Sequence, residues 1–303
     1  MSGDITGPPE TGDTARAAPG VKRRRVMARL AAAAALPGAA RAAPVSLLQA
    51  PVAVGGDWGL SLPASALTVL QRMRAASLDG VPLLSDRQPA RLQVDNHPDG
   101  PPHVWLHFDD EPTARIGVDV GERDWSRLAY QFGHELGHVL ANSWTRDAKP
   151  LPGSQWLEEA LVEAFSLRGL EHLAAAWTRD PPFPGDAGFG AAIQGYKDNQ
   201  LRVYAGYAAA QGVLTDPRGW FRGKRAVLEA SLGMSEACQA LIPLLLSELM
   251  ADPARVGEIG ALNLWPGRGG MPLGSYLNVW ERRCTGLGAA GWMPRWLRGV
   301  LLG

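Results

Sequence analysis

Only two cysteines, Cys238 and Cys284, occur among the 303 residues. Two thiols cannot complete a cysteine-based zinc site on their own, so the sequence excludes that class of site. It leaves two states open for them, a disulfide, which an oxidising compartment would favour, or a pair of buried thiols.

Net charge is also absent, because 30 Lys and Arg residues balance 30 Asp and Glu residues. A chain without an overall positive field lacks the usual attraction for nucleic acid, and we therefore expect no nucleic-acid partner. No internal repeat is visible. Hydrophobic residues make up 46% and charged residues 20% of the chain, which is typical of a globular protein rather than a disordered one.

A long hydrophobic run is missing as well. The weakly apolar, Ala-rich stretch AAAAALPGAARAAP is too short to span a bilayer as a mature helix. It follows the basic stretch VKRRRVMARL, in which residues 23–27 resemble the twin-arginine pattern of export signals. This layout predicts an export signal over residues 1–42, cleavage after Ala42, a periplasmic or secreted protein, and no stable membrane span after signal removal. The alternative is a disordered basic tail followed by an Ala-rich helix.

Residues 43–303 are predicted to form a single domain of the α+β class. Leu67, Leu70 and Met73 recur at helical spacing, with Ser61 or Ser65 as the candidate N-cap. Three runs rich in β-branched and aromatic residues then indicate strands, at 90–97, 102–108 and 113–120.

The chain after the strands has mostly helical patterns. The clearest are at 125–140, 156–177, 199–214 and 237–251. We therefore expect a small mixed sheet and one long amphipathic helix over residues 43–143. A mainly helical subdomain is expected over residues 144–303.

The motif His134-Glu135-x-x-His138 lies on that amphipathic helix. Residues four apart on a helix lie one above the other, so both imidazoles can point at one metal ion. Glu135 lies about 100° around the helix, where its carboxylate can reach a water on the metal rather than the metal itself. The pattern predicts a Zn²⁺ site with Glu135 as general base. The alternative is an amphipathic helix whose histidines make ordinary core hydrogen bonds.

A catalytic zinc ion needs a third protein ligand, and the following helix WLEEALVEAF contains candidate carboxylates. Here the chain resembles the gluzincin metallopeptidases, whose second motif is Trp or Asn, then Glu and a small residue, with an acidic residue one turn later. Trp156, Glu159, Ala160 and Glu163 match that order. The resemblance implies a zincin-like fold, with Glu159 as the third ligand and Glu163 as the carboxylate that orients a ligand histidine. Glu158 remains an alternative ligand, because it lies nearer the usual spacing from the second histidine.

The same resemblance implies a Tyr or His that stabilises the oxyanion, and Tyr207 is the candidate, with Tyr204 as the alternative. It also implies an edge strand that binds extended substrates, which we assign to residues 113–120. The other histidines, at 97, 103, 107 and 172, are interpreted as structural.

The predicted function is a zinc-dependent metallopeptidase acting on a peptide or protein substrate. The Gly-x-Met-x-Asn anchor that aminopeptidases use for a free amino terminus is absent from the sequence. The alternative function is a non-catalytic protein of zincin fold that binds peptides or envelope components.

Overall fold

A computed structural model of the chain describes residues 47–303, except residues 86, 98–99, 107–111, 187 and 269. The predicted export signal at residues 1–42 and His107 lie outside the described residues.

The sheet has four described strands, β1 (Val52–Gly56), β2 (Arg91–Asn96), β3 (His103–Trp105) and β4 (Thr113–Val118), in the order β1-β2-β4-β3. β1, β2 and β4 are parallel, whereas β3 is antiparallel to β4, pairing His103 with Gly117. The sheet is therefore mixed. β1 was not predicted, because it is short and ends in two glycines, which are depleted in strands.

Among the described elements, one helix lies between β1 and β2 and the others follow β4. The helices are α1 (Pro63–Leu78), α2 (Trp125–Leu140), α3 (Gln155–Arg179), α4 (Phe189–Gln211), α5 (Pro217–Ala230), α6 (Glu236–Ala251), α7 (Pro253–Gly257), α8 (Leu273–Gly286) and α9 (Trp292–Leu301). A small sheet with mostly helices confirms the α+β class. The N-cap of α1 is Leu62 rather than Ser61 or Ser65, because Pro63 occupies the first helical position, where its missing N–H is not needed.

The amphipathic helix α2 has the predicted apolar stripe. Leu128, Phe132, Leu136 and Leu140 are all buried, and the Asp124 side chain accepts a hydrogen bond from the Arg127 N–H at the helix start. α2 packs against β4, β3 and α3. This packing places the motif beside the β3 edge of the sheet.

α3 is the central helix of the domain and packs against α1, α2, α4 and α6. Because it has neighbours on so many sides, it buries polar as well as apolar side chains, including Glu158, Glu163 and Arg168. Buried charged groups of this kind require hydrogen-bonded partners.

Two glycines allow α2 and α3 to approach closely. A Cβ atom at Gly137 would lie 2.7 Å from Val162 Cβ, and one at Gly133 would lie 2.8 Å from Ser166 Oγ. Each glycine immediately precedes a histidine of the motif. The helices therefore meet most closely at the turns that carry the candidate ligands.

Cys238 and Cys284 are both free and buried. The Cys238 thiol donates a hydrogen bond to the carbonyl oxygen of Trp156, 3.1 Å away. Of the two states that the sequence left open, the structure has the buried thiols.

None of the helices within the described ranges has both the length and the apolar character that a membrane span requires.

Candidate metal centre

Three side-chain donors converge between α2 and α3. His134 Nε2 lies 3.5 Å and His138 Nε2 lies 3.6 Å from the same oxygen, Glu159 Oε2. All three donor atoms lie within 4.8 Å of one another. This His-His-Glu group could hold a metal ion.

The separations of these donors suit a single ion. Two donors bound tetrahedrally to one ion, each at about 2.05 Å, lie about 3.3 Å apart, close to the two histidine–carboxylate distances. The side chains of His134, His138 and Glu159 are only 11–16% exposed, so their positions are defined by packing rather than by solvent. The donor set and its spacing therefore fit a divalent metal.

The other ring nitrogen of His134 is held by a buried carboxylate. His134 Nδ1 donates to Glu163 Oε2 at 2.8 Å, and the second oxygen of Glu163 accepts hydrogen bonds of 2.9 Å from the hydroxyls of Tyr130 and Tyr204. Because a carboxylate only accepts, Nδ1 carries the hydrogen and Nε2 faces the metal position. Glu163 thus orients His134.

His138 is held in the same way by a second carboxylate. His138 Nδ1 donates to Glu158 Oε1 at 2.8 Å, and the Ser143 hydroxyl donates to the same oxygen. Glu158 therefore lies behind His138, on the side away from the metal position. In this arrangement Glu159, and not its neighbour Glu158, faces both histidines.

Glu159 is itself oriented from one helical turn earlier. Gln155 Nε2 donates to Glu159 Oε1 at 2.9 Å, which leaves Oε2 directed at the histidines. The spacing of four residues on α3 is a signal that could have identified Gln155 from the sequence.

The charges in the cluster shift the pKa values of its members strongly. Burial alone would lower the pKa of His134, but its hydrogen bonds with Glu159 and Glu163 raise it to about 10. Burial also opposes the charged form of His138, yet Glu159 and Glu158 raise its pKa well above the usual value. Both histidines are therefore cationic in the metal-free site at neutral pH.

The pKa values of the carboxyl groups of Glu158 and Glu159 shift in the opposite direction, downward. Burial would raise the pKa of Glu159, but His138 and His134 hold it well below its usual range. Burial would likewise raise the pKa of Glu158, but Arg268 and His138 lower it to about 2. Both carboxylates are therefore ionised near neutral pH.

Glu135 differs from these acids because burial dominates its environment. Desolvation raises its pKa, although His134 and His138 partly oppose the shift. Glu135 lines a cleft of about 270 Å³ together with the three metal-binding candidates. A carboxyl group of raised pKa therefore lies beside the metal position and faces the same cavity.

Tyr207 does not reach this cleft. It is half-buried on α4 and packs against the hydrophobic core, and no tyrosine is among the described residues that line the cavity. Tyr204, one turn earlier, does reach the centre, but its hydroxyl is engaged by Glu163. The oxyanion role predicted for Tyr207 therefore has no support in its position.

The edge strand beside the cleft is β3, not β4 as we expected from the sequence. β4 pairs with β2 on one side and with β3 on the other, so it is an inner strand of the sheet. The linear order of the strands misled the prediction because β3 folds back antiparallel outside β4. His103, interpreted as structural from the sequence, is on β3 and lines the cleft.

Several residues that support the centre were missed in the sequence. They are Tyr130, Ser143, Gln155, Asn263 and Arg268. Tyr130 and Gln155 lie on the ligand helices, each four residues before a candidate ligand, so helical spacing could have identified both. Asn263 and Arg268 follow Glu158 by 105 and 110 residues, and no local spacing relates them to the ligands.

Comparison of this chain with protein-family models, curated proteins and solved structures found no match. Its chemistry is therefore inferred from the geometry of the centre.

Proposed function

We propose that the protein is a zinc-dependent metallopeptidase of the gluzincin type, exported to the periplasm or secreted. One observation carries the proposal: His134, His138 and Glu159 direct three donor atoms at one point, and Glu135 lies beside them on the same cleft. A site that served only to stabilise the fold would more commonly have four protein ligands and no adjacent acid.

Zinc is the ion that this donor set favours. Two imidazoles and one carboxylate, with a further position left to solvent, are the ligands of a known class of catalytic zinc sites. When bound, zinc would supply a Lewis acid that polarises a carbonyl group and lowers the pKa of water to about 7. His134, His138 and Glu159 would hold the ion.

Glu135 performs the proton transfers in this proposal. It accepts a proton from the attacking water and gives it to the nitrogen of the leaving amine, so one residue acts first as base and then as acid. The raised pKa caused by burial makes the carboxyl group better able to hold a proton between these steps. The water attacks the amide carbon, and the bond from that carbon to the amide nitrogen breaks.

The substrate would be an extended peptide bound along β3. Among the described strands, β3 pairs only with β4, and His103 and Val104 line the cleft beside Glu135. An unpaired strand edge can accept a peptide backbone through main-chain hydrogen bonds. This arrangement supports a peptide or protein substrate.

Metal content tests the centre first. Elemental analysis of the protein should give about one zinc ion per chain, and Glu159→Gln should reduce it strongly because a neutral amide is a poor zinc ligand. Glu171→Gln is the matched control, since Glu171 lies on the same helix and pairs with Lys197 away from the cleft. Zinc bound equally well by the Glu159 variant would contradict the assigned ligand set.

Hydrolysis tests the reaction. Glu135→Gln should retain zinc but lose hydrolysis of a peptide library by at least about 100-fold, the usual size of a general-base contribution. If the wild-type protein binds zinc and peptides but cleaves none of them, the non-catalytic alternative is correct and the peptidase proposal fails.

A further inference from the structure

The buried carboxylate behind His138 is itself held by a distant part of the chain. One oxygen of Glu158 accepts from His138 and Ser143, and the other accepts from Arg268 and from Asn263 Nδ2 at 2.8 Å. Asn263 and Arg268 follow Glu158 by 105 and 110 residues and lie between α7 and α8. The metal centre is therefore connected to the C-terminal part of the domain.

Arg268 is placed to act on Glu158. Its side chain is 5% exposed, and its guanidinium also donates to Ser143 Oγ at 3.0 Å and to the carbonyl oxygen of Ala148. Arg268 lines the cleft, but both hydrogens of Nη1 are engaged by Glu158 and Ser143, and Nη2 donates to Ala148, so the guanidinium is fixed against the protein. A charge-assisted bond to Glu158 is the contact through which Arg268 can affect the metal position.

The side chain of Asn263 is also fixed by several hydrogen bonds. Its side-chain oxygen accepts from the Tyr276 hydroxyl at 3.0 Å, and its amide donates to Ala141 O at 2.9 Å as well as to Glu158. Its backbone has a φ of 60°, a left-handed conformation that asparagine tolerates better than most residues. The backbone turn and the side-chain bonds together direct the amide at Glu158.

The carboxylates that orient the two histidines thus differ in the groups that donate hydrogen bonds to them. Glu163, behind His134, is bonded by two neutral tyrosine hydroxyls, whereas Glu158, behind His138, is paired with a cation. A buried carboxylate without a counter-charge is costly even where hydrogen bonds such as those from Ser143 and Asn263 remain, and loss of Arg268 would allow Glu158 to turn away from the histidine. His138 therefore depends on Arg268 in a way that His134 does not.

We propose that Arg268, assisted by Asn263, is a positioning residue for the metal centre that acts through Glu158 on His138. The inference rests on the metal site of the proposed function, but not on the peptidase reaction.

Metal affinity tests this inference directly. Binding of Zn²⁺ and Co²⁺ would be measured by chelator competition for the wild type, Arg268→Met and Arg268→Lys. Removal of residues that orient metal ligands typically weakens affinity about 10- to 100-fold, and we expect that loss for the methionine variant. Lysine keeps the charge and should restore part of the affinity. The visible spectrum of bound Co²⁺ should change in Arg268→Met, because the His138 ring is no longer held.

A double-mutant cycle tests the route through Glu158. Once Glu158→Gln has removed the carboxylate, adding Arg268→Met should weaken the binding of Zn²⁺ by less than about twofold, because residues in one network are non-additive. The double variant also has no unpaired buried charge at this position. Its Zn²⁺ affinity can therefore be measured and compared with that of Glu158→Gln even if Arg268→Met alone does not fold.

Arg168→Met is the matched control. Arg168 is buried and donates to backbone carbonyls of Ser77 and Leu249, with no described hydrogen bond to the metal centre. Its loss should leave Zn²⁺ affinity and the Co²⁺ spectrum unchanged.

Three results would overturn the inference. A folded Arg268→Met with wild-type affinity and spectrum would show that Arg268 does not position the site. An equal loss with and without Glu158→Gln would show that it does not act through Glu158. Failure of the wild-type protein itself to bind Zn²⁺ or Co²⁺ would overturn the proposed metal centre and this inference with it.

Discussion

Metal binding at the His134–His138–Glu159 cluster is expected to release protons. In the metal-free site both histidines are cationic, because nearby carboxylates raise the pKa of His134 to about 10 and that of His138 well above its usual value. A metal ion binds the neutral imidazole, so the hydrogen on each Nε2 must leave. The hydrogens on the Nδ1 atoms stay, since Glu163 and Glu158 accept them.

The size of the effect follows from this proton count. Each displaced proton changes the free energy of metal binding by about 1.4 kcal/mol per pH unit. Two protons therefore change it by about 2.7 kcal/mol per pH unit, which corresponds to roughly 100-fold in Kd for each pH unit. Because the raised pKa values favour protonated histidines, the affinity of the site for the metal ion is weakest at acidic pH. It should increase with pH and level off only as the pH passes the histidine pKa values.

Calorimetry can count the protons. Zn²⁺ binding would be titrated at about pH 7.5 in two buffers of different ionisation enthalpy, and Kd would be measured by chelator competition between about pH 7 and 8. This range is above the usual histidine pKa, so unshifted imidazoles would already be neutral there. Glu163→Gln is a useful comparison, because the amide oxygen can still accept the hydrogen bond from His134, whereas one of the charges that raise the pKa of His134, after that of Glu159, is removed. Its proton release should fall toward one.

A proton release below about one in the wild type, or a Kd that does not change with pH, would refute this reasoning. Either result would mean that the histidines are already neutral in the metal-free site, and that the surrounding carboxylates do not control their charge.

Two further predictions concern stability. Gly137→Ala should lower the free energy of unfolding by about 1–3 kcal/mol in urea denaturation, because the new Cβ would lie 2.7 Å from Val162 Cβ, whereas Gly206→Ala, on an open helix face, should not destabilise. Equal effects of the two substitutions would contradict the close packing of α2 on α3. In metal-free protein, the raised pKa of His134 contributes stability that is complete below the unfolded value of 6.5 and is lost as the pH rises through about 10. Melting temperature should therefore fall over that range, and a rise would contradict the assigned shift.

The elements that were predicted correctly have strong local patterns. α2 has an apolar residue every four positions and Asp124 at its start, so its length and buried face follow from helix geometry alone. The three predicted strands alternate in character and are separated by turn residues. α4 begins at Phe189, ten positions before the predicted start at residue 199, because its first turns are not clearly amphipathic and their burial depends on α3.

The residues that support the candidate ligands were not predictable in the same way. Glu158 and Glu159 are adjacent and chemically identical, so only the rotation of α3 against α2 determines which of them faces the histidines. That rotation is set by side-chain packing at Gly133 and Gly137. Arg268 reaches Glu158 across 110 positions of sequence, and no periodic pattern connects them.

The sequence by itself therefore determined the local geometry of this protein, namely one helix with His134 and His138 on a common face and Glu135 beside them. Only the tertiary structure decided that Glu159 completes the group, that Tyr204 rather than Tyr207 supports it, and that β3 rather than β4 borders the cleft. The physical reason is the range of the interactions. Helical periodicity relates residues three or four apart, whereas the ligand set depends on how separate elements pack against each other.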